Sequence, residues 1–564
     1  MAMLPFLQWR HYYPVTDFYT EWVAGILGLC ASLACLGSQT RIPLVAFVPL
    51  ALSLVVGLQH VLGFPGYDSQ FAMGMFYFVW AFLVAMLGRT LRQEFGLAET
   101  ALVLSWFIYA GGMLDAAAAI VQHYHVARFL SPVVTPDFAP TVYGNLSQQN
   151  HFSDYVSLSM VSLIHLAATK RMPSLAAILS APLLLFVLAM SGSRSSWIYL
   201  AAISLLAAAY FWKTRNRVLL VAAFMLIPCY FFMQWLAHFL SMEAGGLVMT
   251  SADRMQSLGK DSGIRAYLWR EAWEMFLAHP FLGIGFGQYA WHHFMNGPVY
   301  MNPNINGLYT HAHDIMLQFL AETGLVGGGI FLFGLLFWMK RISAGAGVHS
   351  WWFFSMLAVL AIHSLDEYPL WYAQFLGIFM LLLGMGDGRS VSFSFGARAV
   401  IGVAVFSFFL LMAGLMRDYL DLEGLLYPRY HSGKPPLEPD VLYGKLYGFR
   451  KGTLLEPYVA FSMAEMFEPD RENLPAKLEY TRKAVRFSPS GMMVYRYAAY
   501  LAMNGESRAA ALQVERSSWS DPDLLGEARN LYSGLAARMP RQFDPLVTEV
   551  DMKIKERSIA FHHQ

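Results

Sequence analysis

Apolar residues run along this chain in long blocks, not in the alternating or one-in-three stripes of a soluble core. Blocks able to cross roughly 30 Å of hydrocarbon, about 20 residues each, fall at approximately 22–38, 42–62, 71–88, 97–122, 150–169, 174–191, 195–212, 218–240, 314–339, 350–365, 369–386 and 398–416. The pattern predicts an all-α polytopic membrane protein with about twelve transmembrane helices. Past residue 416 the blocks give way to amphipathic stretches at 456–468, 474–487, 490–503, 506–516 and 522–538. Turns at Pro469-Asp470, Pro489-Ser490 and Asn504-Gly505 separate several of them. Two parts are therefore expected: a transmembrane domain over 1–416 and a soluble helical domain over 417–564.

Composition sharpens this division. The 564 residues are 56% hydrophobic and only 14% charged, which excludes a wholly soluble protein. Of the charged residues, 37 lie in the first 416 positions and 40 in the last 148, so the charge belongs to the tail. A net charge of +1 gives no basic face for nucleic acid. The three cysteines, Cys30, Cys35 and Cys229, sit in apolar runs with no CxxC spacing, which excludes a disulfide framework or a zinc site. Within the tail, Tyr480, Ala484 and Val485, a Ser-Pro turn, then Tyr495, Ala498, Ala499 and Leu501 resemble tetratricopeptide-like helical hairpins.

Basic residues of the membrane part gather in short connections: Arg41, Arg89 with Arg92, Lys170-Arg171, Lys213 with Arg215 and Arg217, Lys340-Arg341, and Arg389 with Arg398. The positive-inside rule makes these cytoplasmic. The alternate connections, 63–70, 123–149, 192–194, 241–313 and 366–368, then face the other side together with the tail and residue 1. The opening Met1–Trp9 is apolar, so either a further helix precedes it or residues 3–9 dip into the membrane.

Candidate chemistry concentrates on that outer side, above all in 241–313, a long hydrophilic loop on a rigid scaffold. It carries Asp261-Ser-Gly-Ile-Arg265, His279-Pro280, the glycines Gly283, Gly285 and Gly287, and Tyr309-Thr-His311-Ala-His313-Asp314. Histidines two residues apart do not share a helical face, which argues against a metal pair, and no HExxH or phosphate-gripping glycine loop appears. Arg194, in Ser191-Gly-Ser-Arg194-Ser-Ser at a span boundary, and Arg265 offer forked donors suited to phosphate oxygens. Beside a histidine titrating near neutrality, two such cations make a site for a pyrophosphate leaving group and a hydroxyl nucleophile.

These residues resemble a family signature. His313-Asp314, nine residues, then Gly324-Leu-Val-Gly327-Gly328 is similar to the pattern of the O-antigen ligase and polymerase superfamily, as are Arg265-x-x-Leu-Trp, His279-Pro280-x-x-Gly283-x-Gly285 and Ser193-Arg194. Asp314 departs from it, standing where a neutral polar residue is usual, where a carboxylate would raise or orient the histidine. Tyr143-Gly-Asn145-Leu-Ser-Gln148-Gln149-Asn150-His151, His363-Ser-Leu-Asp366-Glu367-Tyr-Pro369 and the Pro14-Val-x-x-Phe18-Tyr-x-Glu21 opening resemble bacterial protein O-oligosaccharyltransferases of the PglL type.

The resemblance implies en bloc transfer of an oligosaccharide from undecaprenyl pyrophosphate to Ser or Thr of a periplasmic protein such as pilin, by a multi-pass inner-membrane enzyme facing the periplasm. His313 is the expected base, with Arg194 and Arg265 holding the pyrophosphate. Gln148, Gln149, Asn150, His151, His311, Asp314, Asp366 and Glu367 are the expected substrate-binding set. No cofactor and no metal is expected. The rival readings are an O-antigen ligase acting on lipid A-core, a polysaccharide polymerase, and a transporter or flippase. The last would show broken helices near the midplane, with its polar motifs there. The sequon Asn145-Leu-Ser is given little weight.

Overall fold

Each of the twelve apolar blocks coincides with helical backbone in the computed structural model of the chain. It describes every residue except 38–40, 125, 131, 136–140, 244–249, 253–257, 301–306, 393–394, 430–432, 450–451 and 563–564. Hydrocarbon offers no water to bond N–H and C=O groups, so such blocks form helices that satisfy them internally. Among the described residues, eight helices are long and apolar enough to cross a membrane. Two shorter apolar helices, Ser174–Met190 and Ala373–Gly386, pack among them. The Gln149–Ala168 helix is studded with Ser153, Asp154, Ser157, Ser159, Ser162 and His165, all buried inside the bundle.

The connection expected around Arg89 and Arg92 is itself helical. The helix Asp68–His123 is interrupted only at Gly96, where φ is 76° and ψ is 168°. Thr100 Oγ1, past the break, donates to the carbonyl of Leu91 before it at 3.3 Å, so the chain turns back there. At the same end of the bundle Arg89 donates to the Asp387 carbonyl at 2.9 Å, and Arg341 meets the Asp387 carboxylate at 3.2 Å. The strands Arg41–Pro43 and Ser390–Ser392 pair antiparallel beside them. Basic connections from distant parts of the chain thus share one end, as the positive-inside reading requires.

The helix Ile315–Met339 breaks at Gly324, with φ 63° and ψ −160°. A break leaves the carbonyls before it and the amides after it without helical partners. The turn that follows His279 supplies them: Ile284 N–H donates to Ala321 O at 2.9 Å and Gly285 N–H to Glu322 O at 3.1 Å. In return Leu325 N–H reaches Pro280 O at 2.7 Å and Val326 N–H reaches Phe281 O at 3.2 Å. Backbones approach so closely that a Cβ at Gly283 would overlap Glu322 and one at Gly324 would overlap Phe281. The two glycine motifs of the sequence are therefore halves of one joint, closed by Gln59 Nε2 donating to Leu282 O at 2.6 Å.

The stretch 241–313, read as a loop, contains two helices, Leu258–Ala278 and Tyr289–Tyr300. They form because Ala272, Met275, Ile284 and Tyr289 close a small core with Ala312 and Ala321. Tyr289–Tyr300 also reaches outward: its Phe294 lies in the core built by Ala484, Tyr495, Ala499, Val514, Tyr532 and Phe543 of the tail. The last membrane helix, Phe395–Leu426, continues past residue 416, and its buried Tyr419 stacks on Phe18 with ring centroids 3.6 Å apart. The tail then runs as Pro439–Phe449, Glu456–Glu465, Leu474–Phe487, Met492–Met503, Ser507–Ser520, Leu525–Ala536 and Pro540–His562, the first and the last not expected from the sequence. Residues 1–7 pack into the bundle, with Phe6 stacked on Tyr155 at 3.9 Å.

Candidate functional site

Polar residues at helix ends converge on one buried carboxylate. Glu367 follows the helix Val348–Asp366 in extended backbone and is tied back by its N–H to His363 O at 2.8 Å. Its Oε1 accepts from Arg265 Nη2 at 2.8 Å and from Asn150 Nδ2 at 3.0 Å. Its Oε2 lies 2.7 Å from His313 Nδ1, an ion-pair contact bent away from good hydrogen-bond alignment. Next to it, Asp366 Oδ1 holds Arg265 Nη1 at 2.7 Å and Oδ2 accepts from Ser195 Oγ at 2.6 Å. Ser193 Oγ donates to Asn150 Oδ1 at 2.9 Å.

Five segments far apart in sequence are thereby joined through side chains: 150, 193–195, 265, 313 and 366–367. Arg194 lies between the two anchored serines, half-buried, and its side chain makes no ion pair or hydrogen bond among the described residues. Arg265 is in the opposite state, gripped by two carboxylates. The two arginines that look equivalent in the sequence are electrostatically distinct.

His313 occupies the left-handed region, with φ 56°, a strained state for a residue with a side chain. Both flanks hold it there. Ala312 N–H donates to Gln318 Oε1 at 2.7 Å, and Asp314 caps the helix Ile315–Met339 by accepting Leu317 N–H at 2.8 Å. The Asp314 carboxylate, expected to tune the histidine, is occupied by this cap; the carboxylate facing His313 is Glu367. Its neighbour His311 faces away, stacked on Tyr368 at 4.2 Å and edge-on to Trp371 at 5.3 Å.

His311 and Trp371 border a cavity of about 670 Å³. Its walls are largely apolar, among them Leu52, Phe76, Phe319, Phe331 and Met380, and Leu455 and Tyr458 of the tail also line it. Burial and the nearby His313 push His311 down to about 3, so its ring is neutral at pH 7.

The outer-side motif 144–151 divides between structure and site. Gly144 takes a φ of 56° where a Cβ would overlap Asp115. Asn145 organises the loop, its amide donating to Val133 O at 3.0 Å and accepting Thr135 N–H at 2.9 Å, which leaves no free amide for a sequon. Gln148 caps the following helix through His151 N–H at 2.5 Å, and Gln149 accepts from Thr141 at 3.1 Å. His151 is buried edge-on to Tyr372 at 4.4 Å. Only Asn150 of the four reaches the carboxylate.

Burial alone would raise the Glu367 carboxyl, but the contact with His313 and the charge of Arg265 outweigh it and hold the group at about 2, against an ordinary 4.5. A depressed folded pKa stabilises above the ordinary value and is lost as the pH falls toward the folded one. The melting-temperature gap between the wild type and Glu367→Gln is accordingly expected to hold steady from neutral pH down to about 4.5 and to narrow below it. A gap that narrows between about pH 7 and 5 would contradict this assignment.

Comparison with known proteins adds an independent line. The family described as O-Antigen ligase matches residues 179–332, which include Arg194, Arg265 and His313. The family described as Virulence factor membrane-bound polymerase, C-terminal, matches residues 351–524, which include Asp366 and Glu367. A General O-oligosaccharyltransferase of Acinetobacter baylyi is 24% identical over 442 residues, covering 74% of this chain and 75% of the relative. The two family matches meet at the buried carboxylate, one spanning Arg194, Arg265 and His313 and the other spanning the acids Asp366 and Glu367 that hold Arg265 and His313. The chain is therefore similar, over these two regions, to the O-antigen ligase and membrane-bound polymerase families and, over most of its length, to a general O-oligosaccharyltransferase.

Proposed function

We propose that the chain transfers an oligosaccharide from undecaprenyl pyrophosphate to a Ser or Thr hydroxyl of a periplasmic protein, pilin-like in kind, with the site on the periplasmic face of the inner membrane. The observation that carries this reading is the His313–Glu367–Arg265 cluster beside an apolar cavity and Arg194, which makes no ion pair among the described residues. Glu367 occupies the Nδ1 side of His313, which directs Nε2 to the acceptor hydroxyl. The hydroxyl oxygen attacks the anomeric carbon as the bond to the pyrophosphate oxygen breaks. The hydroxyl proton passes to His313, and the electron pair leaves with the lipid pyrophosphate.

Arg194, which makes no ion pair among the described residues, meets the charge that develops on the leaving group. Arg265 fixes Glu367 and Asp366, and so the histidine. The apolar cavity suits a polyprenyl chain. Among the described residues no three His, Cys, Asp or Glu side chains gather at metal-binding spacing, and the proposed reaction uses the cation of Arg194 in place of a divalent ion.

The test is reconstitution with undecaprenyl-pyrophosphate oligosaccharide, chelator present throughout, and two acceptors offered separately: a pilin-like protein and lipid A-core. Glycan on protein Ser or Thr is the expected product, and Arg194→Ala is expected to lower its rate by about 10²–10³ with the protein still in the membrane. Glycan on lipid A-core alone would assign the chain to ligation instead, and an undiminished Arg194→Ala rate would remove this residue from the mechanism.

A further inference from the structure

The helix Leu258–Ala278 carries an apolar stripe that the protein leaves bare. Its inner side, with Leu268, Ala272, Met275 and Phe276, is buried. On the other side Trp269, Trp273 and Leu277 follow one another at four-residue spacing, 39%, 46% and 59% exposed, and Phe281 continues the line at 72%. Residues four apart share a helical face, so Trp269, Trp273 and Leu277 form one stripe about two turns long, with Phe281 exposed in the turn just past the helix end. The exposed pair Arg270–Glu274, 2.8 Å apart, runs along its edge.

Both ends of this helix are pinned to the same level of the bundle. Near one end Arg265 is held by Asp366 and Glu367, where the membrane helix Val348–Asp366 terminates. At the other end the turn 279–285 is held by Gln59, in the last turn of the membrane helix Phe47–Val61. These two membrane helices run in the same direction, each beginning at the end where the basic connections gather. The roughly 20 Å between Arg265 and Ala278 therefore extends across the face of the bundle at the height where membrane helices end.

We propose that Leu258–Ala278 is an interfacial helix whose stripe Trp269–Trp273–Leu277–Phe281 is inserted at the headgroup boundary of the leaflet on the site's side. Amphipathic helices with Trp, Leu and Phe on one face lie in the interface plane in this way, and the indole, apolar in its ring and polar at its N–H, favours that depth. The occupant of the stripe is phospholipid. The inference rests on the membrane-spanning fold and is independent of the transferase reading. One consequence is that Arg265 and the carboxylates it binds stand at headgroup level.

The test uses the full wild-type chain in nanodiscs of phosphatidylethanolamine and phosphatidylglycerol doped with a lipid bearing a diazirine near its ester carbonyl. A parallel sample is exposed to hydroxyl radicals from the aqueous phase, and both are mapped by mass spectrometry. Lipid adducts are expected on Trp269, Trp273, Leu277 and Phe281, with loss of radical oxidation at the two tryptophans while the exposed Met552 of the tail is oxidised. Oxidation of both tryptophans without lipid adducts overturns the proposal. Protection that appears only when free oligosaccharide is added, again without adducts, also overturns it and makes the stripe a sugar-stacking platform.

Discussion

Glu367→Gln is expected to reduce oligosaccharide transfer by about 10²–10⁴, as large an effect as removing a general base. The substitution preserves shape and removes one charge, yet three donors depend on that charge: Arg265 at 2.8 Å, His313 at 2.7 Å and Asn150 at 3.0 Å. An amide has one acceptor oxygen, so its NH₂ is forced against at least one of these donors. Arg265 retains only Asp366, and His313 loses the partner that fixes its ring. Removing one member of a buried ion pair costs about 3–5 kcal/mol, so a lower melting temperature accompanies the loss of rate. The rate is measured on protein shown to remain folded at the assay temperature. Wild-type turnover in that folded variant would dismiss Glu367 as the organiser of the site.

His313→Ala is expected to abolish transfer to a similar extent, about 10²–10⁴, whereas His311→Ala is expected to retain kcat and raise KM for the lipid-linked donor. The contrast follows from where the rings point. His313 faces the carboxylate and the cations; His311 is stacked on Tyr368, held neutral by burial, and borders the apolar cavity. Steady-state assays at varied donor concentration separate the two. Equal losses of kcat in both variants would show that the histidines act as one unit and that this division of labour is wrong.

The parts of this molecule governed by local chain physics were legible in the sequence. Apolar blocks announce helices because nothing else satisfies a backbone in hydrocarbon, and the His313 to Gly328 spacing pointed to a motif at a helix start. The two helices at 258–278 and 289–300 were read as part of a loop because the stretch around them is hydrophilic and their buried positions find partners far away, in Ala312, Ala321 and the tail. The helix at 540–562 was missed because it is polar and carries Pro545.

The site itself was half legible. Arg194, Arg265 and His313 were named as expected site residues, and Asp366 and Glu367 as expected substrate-binding ones, but that the two acids grip Arg265 and not Arg194 depends on how they are placed, about a hundred residues or more from either. A signal was present: two adjacent carboxylates ending an apolar span, in a region where charge is scarce and costly. Asp314 misled for the converse reason. Sequence adjacency to His313 suggested an electrostatic partner, and the helix start claimed its carboxylate first.

Phe294 sits in the same core as Phe543 and Val550, so the helix leading toward His313 is anchored by residues synthesised well after it. At roughly 5–20 residues per second of synthesis, Phe294 waits on the order of 12–50 s for that anchor. Until then the helix Tyr289–Tyr300 lacks its support from the tail. The candidate site is thus braced only after a much later stretch of chain has been made and has folded against it.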